Sequence, residues 1–184
     1  MKHFVKNAIK IYILLYNKML FSLNKFLMSK FKDNYEKAIR QKHNFLKKFS
    51  DGINIDYLKE MCNDKNNKIY IYSINKVLTD DYKNEIIGIA VIRKILHTST
   101  KIRIYIPLIA IHKDMRSFGY GSLILDEICN KFNKTKTLEI VLLSLDNTFD
   151  FYSKLGFVKS NVKFIEKNEN TKDCIMMIKT ICYN

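Results

Sequence analysis

The sequence is poor in the residues that mark several specialised classes of protein. Its 184 residues include no Trp, one Pro and five Gly, a composition that excludes collagens, elastic linkers and Pro-rich scaffolds. No uninterrupted apolar stretch approaches the roughly 18 residues that a membrane-spanning helix requires. The length, with 47% hydrophobic and 27% charged residues, is typical of one globular domain that needs no disulfide to support its core.

Cysteine and histidine are also sparse. The four Cys are widely spaced without a CxxC pair, and the four His form neither an HExxH nor an HxxxH pair. This pattern predicts neither a disulfide framework nor a zinc site. We therefore expect a protein of the cytoplasm, where thiols stay reduced, and no metal cofactor.

Arginine is scarce although the formal net charge is +14, because only four of the 32 basic residues are Arg. Lys, Ile and Asn, which are abundant here, are encoded by A+T-rich codons, so genome composition accounts for much of the charge. Lys neutralises phosphates, whereas base edges are read mainly by Arg. The composition therefore gives little support to nucleic-acid recognition.

The positive charge is concentrated at the N-terminus. Residues 1–32 hold seven Lys and no acidic residue, and their apolar residues recur at three- and four-residue steps. This spacing predicts a basic amphipathic helix. One interpretation is a segment that contacts a membrane surface or serves in targeting, and the other is an additional helix packed on the domain or an extension upstream of a start at Met28. We divide the chain into an N-terminal extension, 1–28, and a domain, 29–184.

The remaining chain predicts an α+β domain. Helices are expected over 33–49, 55–62 and 122–132 and within 146–156, with Asn147 as a cap and Gly156 as a stop. Strands are expected over 68–74, 85–96, 101–111, 138–145, 162–166 and 174–181. Because one helix connects the strands 101–111 and 138–145, these two should be parallel neighbours, within a sheet that is otherwise mostly antiparallel.

One segment between a predicted strand and a predicted helix is suited to phosphate binding. It reads Arg116-Ser117-Phe118-Gly119-Tyr120-Gly121. Glycines allow the backbone to approach an anion closely, and the amides and dipole of a helix N-terminus attract it. The spacing matches neither GxGxxG nor the P-loop, and glycines in such a position are also common in simple turns.

Together with a second motif, this segment resembles the GNAT N-acetyltransferase superfamily. Ile109-Ala110-Ile111 lies just before it, and Phe151-Tyr152-Ser153-Lys154-Leu155-Gly156-Phe157 follows about 30 residues later. The family has a strand, then R/Q-x-x-G-x-G/A at the start of a helix, and later a helix with F-Y-x-x-x-G-F. The specific match covers about 50 residues, and the order of elements extends it over 68–181.

The resemblance implies transfer of an acetyl group from acetyl-CoA to an amine. It implies that the strand backbone at Ile109, Ala110 and Ile111 binds the pantetheine arm. The pyrophosphate would bind the turn and the helix start, that is Arg116, Ser117, Phe118, Gly119, Tyr120, Gly121 and Ser122. Tyr152 would protonate the leaving thiolate. Taken alone, a tyrosine on a helix more often fills space between helix and sheet.

Pro107 is the only proline, and it lies inside the strand expected to be central. Because proline cannot donate a backbone hydrogen bond, it is normally confined to edge strands or bulges. The resemblance implies that this strand carries a bulge and then splays from its parallel neighbour. The alternative is that 101–111 is an edge strand.

The chain departs from the family pattern at two positions. Where many members have a Glu on this strand the chain has Pro107, and 101–111 contains no carboxylate. Where the family often has an Asn, seven residues before the Tyr, the chain has Leu145, and Asn147 is only five residues before it. Without a carboxylate on this strand, the proton of the amine would be relayed by water or by Tyr105.

Three functions are therefore open. The first is an N-acetyltransferase that works by direct attack of an amine. The second is a GNAT-like protein that binds coenzyme A or a partner without catalysis, and the third is a binder of nucleic acid or membrane surfaces through 1–32. The loops 50–67, 75–84 and 97–101 are expected to shape the acceptor site, and their mixed charges favour no acceptor class.

Overall fold

The computed structural model describes residues 19–22, for which it gives the backbone, together with 49, 55–73, 86–133, 136–161, 165 and 171–183. Its helices are α1 (Ile55–Asn63), α2 (Tyr120–Phe132) and α3 (Asp146–Lys154), and a 3-10 turn (Lys113–Met115) precedes α2. Its strands are β1 (Met19–Ser22), β2 (Asn67–Ser73), β3 (Ile86–His97), β4 (Lys101–Ile111), β5 (Thr137–Ser144), β6 (Val158–Lys159) and β7 (Ile175–Cys182).

The described strands form one sheet in the order β1-β2-β3-β4-β5-β7-β6. The β4–β5 pair is parallel, and the other described pairs are antiparallel. The predicted mixed α+β sheet with a central parallel pair is therefore confirmed. Ile-rich strands suit the central positions, because β-branched side chains pack well on a sheet that is buried on both faces.

Helix α2 covers one face of the sheet. Its apolar side chains recur at helical spacing, and Ile124 and Ile128 are fully buried against the inward side chains of β4 and β5. A smaller cluster lies elsewhere in the core, where Tyr105, Val141 and Met176 pack together. Since side chains alternate along a strand, Tyr105 points to the opposite face from its neighbours Ile104 and Ile106, which belong to the α2 cluster.

Strand β4 contains the bulge that its proline requires. Val91 pairs with Leu108, whereas Arg93 pairs with Tyr105, so β4 has one residue more than β3 between these pairs. The extra residue is therefore at position 106 or 107. At such a bulge one residue is left out of the ladder of hydrogen bonds, so the missing N–H of Pro107 leaves no acceptor on the partner strand unpaired. The predicted bulge is confirmed, and the edge-strand alternative is wrong because β4 lies between β3 and β5.

The N-terminal segment differs from the prediction where it is described. Residues 19–22 form β1, which pairs antiparallel with β2, so the predicted helix is wrong at these four residues. Cross-strand hydrogen bonds to β2 replace the helical pattern that the apolar spacing indicated. The rest of 1–32 lies outside the described residues, and the domain boundary at residue 28 stays a prediction.

Two other boundaries differ from the prediction. Helix α3 has Leu145 as its N-cap with no side-chain cap, so Asn147 is an interior residue and not the predicted cap. In the C-terminal hairpin, the described partner of β7 on this side is Val158–Lys159, which lies before the predicted strand 162–166. Of that predicted strand only Ile165 is described, and it is in a bend. The helix predicted over 33–49 lies outside the described residues except for Phe49, and the loop 75–84 lies wholly outside them.

Candidate active site

A gap opens between the two parallel strands. Their pairing runs from Lys101 with Thr137 to Ile106 with Leu142 and then stops, although β4 continues to Ile111. Beyond Ile106, β4 remains paired with β3. The last five residues of β4 therefore have a strand on one side and the gap on the other.

The backbone direction shows which residues face this gap. The N–H of His112 donates to the carbonyl of Ile87 on β3 at 2.8 Å. Since successive residues of a strand direct their backbone groups to opposite sides, Ala110 also faces β3, while Ile109 and Ile111 face the gap. Of the strand residues predicted to bind the cofactor, Ile109 and Ile111 thus offer backbone groups to the gap and Ala110 does not.

The gap ends at the turn that begins α2. Arg116, Ser117, Phe118 and Gly119 are exposed there, and Arg116 Nε donates to the Ile111 carbonyl at 3.2 Å. Gly119 is the N-cap in the left-handed region (φ +85°), and a Cβ built on it would meet no atom within 4 Å. The left-handed backbone conformation therefore favours glycine at position 119, and the absence of a side chain leaves open space in front of the helix.

The first turn of α2 presents its amides to that open space. The first bond of the helix is donated by Leu123 N–H to the Gly119 carbonyl at 3.3 Å, so the amides of Tyr120, Gly121 and Ser122 precede the intrahelical ladder. The ring of Tyr120 is buried in the core, so only its backbone faces the site. Ser117 also has a positive φ of 66°, a strain that sequence reasoning missed because Ser gives no signal for it.

Gly121 brings α3 close to this turn. A Cβ built on Gly121 would lie 3.0 Å from Phe151 Cζ, so the absence of a side chain lets the Phe151 ring pack against α2. The next residue along α3 is Tyr152, whose ring meets Phe151 edge to face at a centroid distance of 5.0 Å. The two sequence motifs, separated by about 30 residues, therefore meet at one place.

The C-terminus of α3 fixes the position of Tyr152. Phe157 N–H donates to the Tyr152 carbonyl at 3.1 Å, and Gly156 N–H donates to the Ser153 carbonyl at 3.0 Å. With Gly156 at φ +84°, this is a Schellman motif, so the predicted helix stop is confirmed. It also brings the Phe157 ring to 5.6 Å from the Tyr152 ring.

The Tyr152 hydroxyl is held in its protonated form. Burial raises the pKa of this phenol to about 12, because the charged phenolate would lose its hydration. Among the described residues, none forms a hydrogen bond to this hydroxyl. The group can therefore donate a proton to a bound molecule without first breaking a hydrogen bond to any described residue.

A cleft of about 120 Å³ lies beside Tyr105. Its described lining comes from α1 and the turn after it, from the strands β2, β3 and β4, and from the segment between β6 and β7. It consists of Tyr57, Glu60, Met61, Asp64, Asn67, Arg93, Tyr105, Pro107, Ile165 and Thr171. Sequence reasoning missed Tyr57 and Glu60. The signal was the spacing 57, 60, 61 and 64, which sets these residues on one side of α1. Of the loops expected to shape the acceptor site, 50–67 lines this cleft.

A sequence model of the acetyltransferase (GNAT) domain matches residues 39–173. A solved structure of Tetrahymena GCN5 is 15% identical, with a TM-score of 0.53 over 81% of this chain and 91% of that one. The NatC complex bound to Gag peptide and CoA contains a chain that is 19% identical, with a TM-score of 0.51 over 88% of this chain and 96% of that one. A GNAT-family protein from Desulfovibrio desulfuricans is 14% identical, with a TM-score of 0.52 over 90% and 97%. A search of curated proteins found no significant match.

Because the domain match covers more than half of the chain, the protein belongs to the GNAT acetyltransferase family, as the resemblance indicated, and the solved structures agree in fold. In the part of the chain that the structure describes, no helix is long and apolar enough to cross a membrane. Within that same part, no group of three His, Cys, Asp or Glu side chains could hold a metal ion.

Proposed function

We propose that this protein transfers an acetyl group from acetyl-CoA to an amine nitrogen by direct attack of the neutral amine. The observation that carries the proposal is the end of β4–β5 pairing at Ile106. Past that residue, the backbone groups of β4 that face the gap are followed along the chain by the exposed N-terminus of α2. An extended amide-containing chain that ends in a pyrophosphate suits such a surface.

The residues present fit this cosubstrate. The backbone groups of Ile109 and Ile111 would pair with the two amides of the pantetheine arm, as an added strand would. The amides of the first turn of α2 would hold the pyrophosphate, favoured by the helix dipole. The left-handed Gly119 leaves the space that two phosphate groups need.

Bound acetyl-CoA supplies a thioester carbon that an amine can attack. In the balanced reaction, a carbon–nitrogen bond forms, the carbon–sulfur bond breaks, and the sulfur leaves as a thiolate. An acceptor that arrives as an ammonium ion releases two protons before the amide is formed. Tyr152 would donate its proton to the thiolate and regain one of these two, and the other proton passes to solvent.

Removal of the amine protons would not use a carboxylate of β4, since 101–111 has none. The amine protons would instead pass through the phenols of Tyr105 and Tyr57, which share a hydrogen bond, and through water in the adjoining cleft. Burial is the main reason that the pKa of Tyr105 is raised, so this phenol serves as a relay and not as a base that is ionised in advance.

The test is incubation of the purified chain with acetyl-CoA and a panel of amines, with mass spectrometry of the products. We expect acetylated amine and free coenzyme A in equal amounts. Release of coenzyme A without acetylated amine would contradict the proposal.

One observation favours a second candidate, a protein that binds coenzyme A without turning it over. Pro107 stands where many family members have a carboxylate, so the chain lacks a base that those members use. Tight binding of acetyl-CoA with no acetylation of any amine would identify this candidate. We also propose a reducing, cytoplasmic compartment, which the wide spacing of the four Cys, without a CxxC pair, supports. Binding of membranes or nucleic acid through 1–32 stays a prediction.

A further inference from the structure

We infer that the cleft beside Tyr105 binds the acceptor, and that Glu60 makes it selective for a cationic amine with no carboxylate next to the nitrogen. This inference rests on the proposed function, because it assigns the second substrate of the same reaction. It differs from that proposal in naming the charge of the acceptor and the side chain that selects it.

The position of the cleft supports this assignment. Pro107 lines it and directly follows Ile106, where pairing between β4 and β5 ends. The cleft therefore borders β4 at the point where the gap begins. An amine that enters from the cleft would reach the gap where it begins, next to Pro107, while Ile109 and Ile111 line the gap further along.

The charges of the described residues that line the cleft do not cancel. Arg93 is engaged by two neighbours, since its guanidinium forms an ion pair with Asp64 and its Nε donates to Asn67 Oδ1 at 3.0 Å. Asp64 and Arg93 therefore neutralise each other. Of the described lining residues, Glu60 is the remaining charged one, and no described cation pairs with its carboxylate. One negative charge is left to face a ligand.

The scaffold holds Glu60 in place. It lies on α1, and Asn67 Nδ2 donates to the Met61 carbonyl at 2.9 Å, which ties the end of α1 to β2. The Arg93 contacts tie the same region to β3. A carboxylate on a helix that is fixed at its end binds a cation with less loss of side-chain and backbone freedom than one on a loop.

The two phenols of the cleft add hydrogen-bonding groups without adding charge. Tyr57 and Tyr105 share a hydrogen bond, and burial is the largest cause that raises the pKa of each. Both stay neutral at physiological pH, so their oxygens can accept a hydrogen bond from an ammonium group. A carboxylate beside the amine would instead be repelled by Glu60.

The experiment compares leucine amide with leucine, which differ in the group next to the amine. The kcat/KM of each is measured for wild type, Glu60→Gln and Asp56→Asn at one pH. Asp56 is the matched control, because it is an exposed carboxylate on the same helix that pairs with Lys59 at 2.9 Å and does not line the cleft. The intrinsic reactivities of the two amines cancel when the ratio for leucine amide over leucine is compared between variants.

We expect Glu60→Gln to lower this ratio about tenfold, as the loss of one charge at contact distance in a partly exposed site predicts, and Asp56→Asn to leave it within twofold. An unchanged ratio in Glu60→Gln, with wild-type turnover intact, would overturn the inference and leave the proposed function standing. If wild type acetylates neither amine, the same ratio is read from calorimetric binding in the presence of coenzyme A. Glu60-dependent binding of leucine amide would then support the inference, with the proposed function decided by the full amine panel, and binding that ignores Glu60 would overturn the inference.

Discussion

The change Tyr152→Phe removes the proposed proton donor and keeps its ring. Because the pKa of the phenol is about 12, only about one molecule in 10⁵ is ionised at pH 7, so nearly every molecule carries the proton to be donated. A positioned acid contributes ~10²–10⁴-fold to rate. We expect kcat to fall about 10²-fold, which corresponds to about 2.7 kcal/mol of transition-state stabilisation.

The structure predicts that this loss is confined to the chemical step. The aromatic contacts with Phe151 and Phe157 need the ring and not the hydroxyl. Because the hydroxyl has no partner among the described residues, its removal should change the free energy of unfolding by less than about 1 kcal/mol. Calorimetric affinity for acetyl-CoA should likewise stay within about twofold of wild type.

The assay measures steady-state kcat, acetyl-CoA affinity and thermal unfolding for Tyr152→Phe beside Tyr183→Phe. Tyr183 is the control, because its hydroxyl donates to the Cys129 carbonyl at 3.4 Å near the end of the last strand. We expect that variant to lose some stability and no activity. Since Tyr152 must be protonated to act, its activity is lost only as pH rises toward 12, and the profile should show no descending limb from it below about pH 10. Equal kcat for Tyr152→Phe and wild type would refute the role.

Three further changes test other parts of the structure. A Cβ on Gly88 would lie 2.7 Å from Ile124 Cδ1 and 2.9 Å from the Ala110 carbonyl oxygen, so Gly88→Ala should lower the free energy of unfolding by about 1–3 kcal/mol in thermal or urea unfolding; an unchanged midpoint would contradict this packing. Gly119→Val places a branched residue at φ +85° and obstructs the approach of phosphate, so the free energy of acetyl-CoA binding measured by calorimetry should weaken by about 2 kcal/mol or more. Unchanged affinity in a folded variant would show that the turn does not belong to the cofactor site. Burial raises the pKa of Glu139, but hydrogen bonds from Lys101 and Arg103 outweigh it and hold that pKa below its usual range. Glu139→Gln should therefore lower the free energy of urea unfolding by about 2 kcal/mol or more above pH 5, and by progressively less as pH falls below about 4. A difference that does not change with pH would contradict the ion pair.

Local patterns predicted the parts of the fold that local chemistry determines. The β-branched runs gave the central strands, and the single connecting helix gave the parallel pair. The bulge at 106–107 was implied by the family resemblance together with the lone proline. Gly119 and Gly121 predicted the turn before α2, and Gly156 predicted the end of α3; the structure adds that Gly121 also admits the Phe151 ring.

Most of the features that were missed depend on contacts between distant segments. Residues 19–22 have helical spacing in the sequence, yet they pair with β2, a contact that no local pattern encodes. The cap of α3 differs for a local reason that the capping pattern hides. Leu145 takes the N-cap position without a side-chain cap, and the Ser144 and Thr148 hydroxyls both donate to its carbonyl, at 2.9 and 3.0 Å. Glu60 reaches the cleft only because α1 packs beside β3 and β4.

The central claim is that the gap beside β4 and the start of α2 bind acetyl-CoA for transfer to an amine. The most direct measurement follows acetyl-CoA labelled in the acetyl group, incubated with the wild-type chain and the amine panel, and detects labelled amide by mass spectrometry. The account predicts labelled N-acetyl product in amounts equal to the coenzyme A released, and its loss in Gly119→Val. Absence of labelled product with every amine, from a folded wild-type chain, would contradict it.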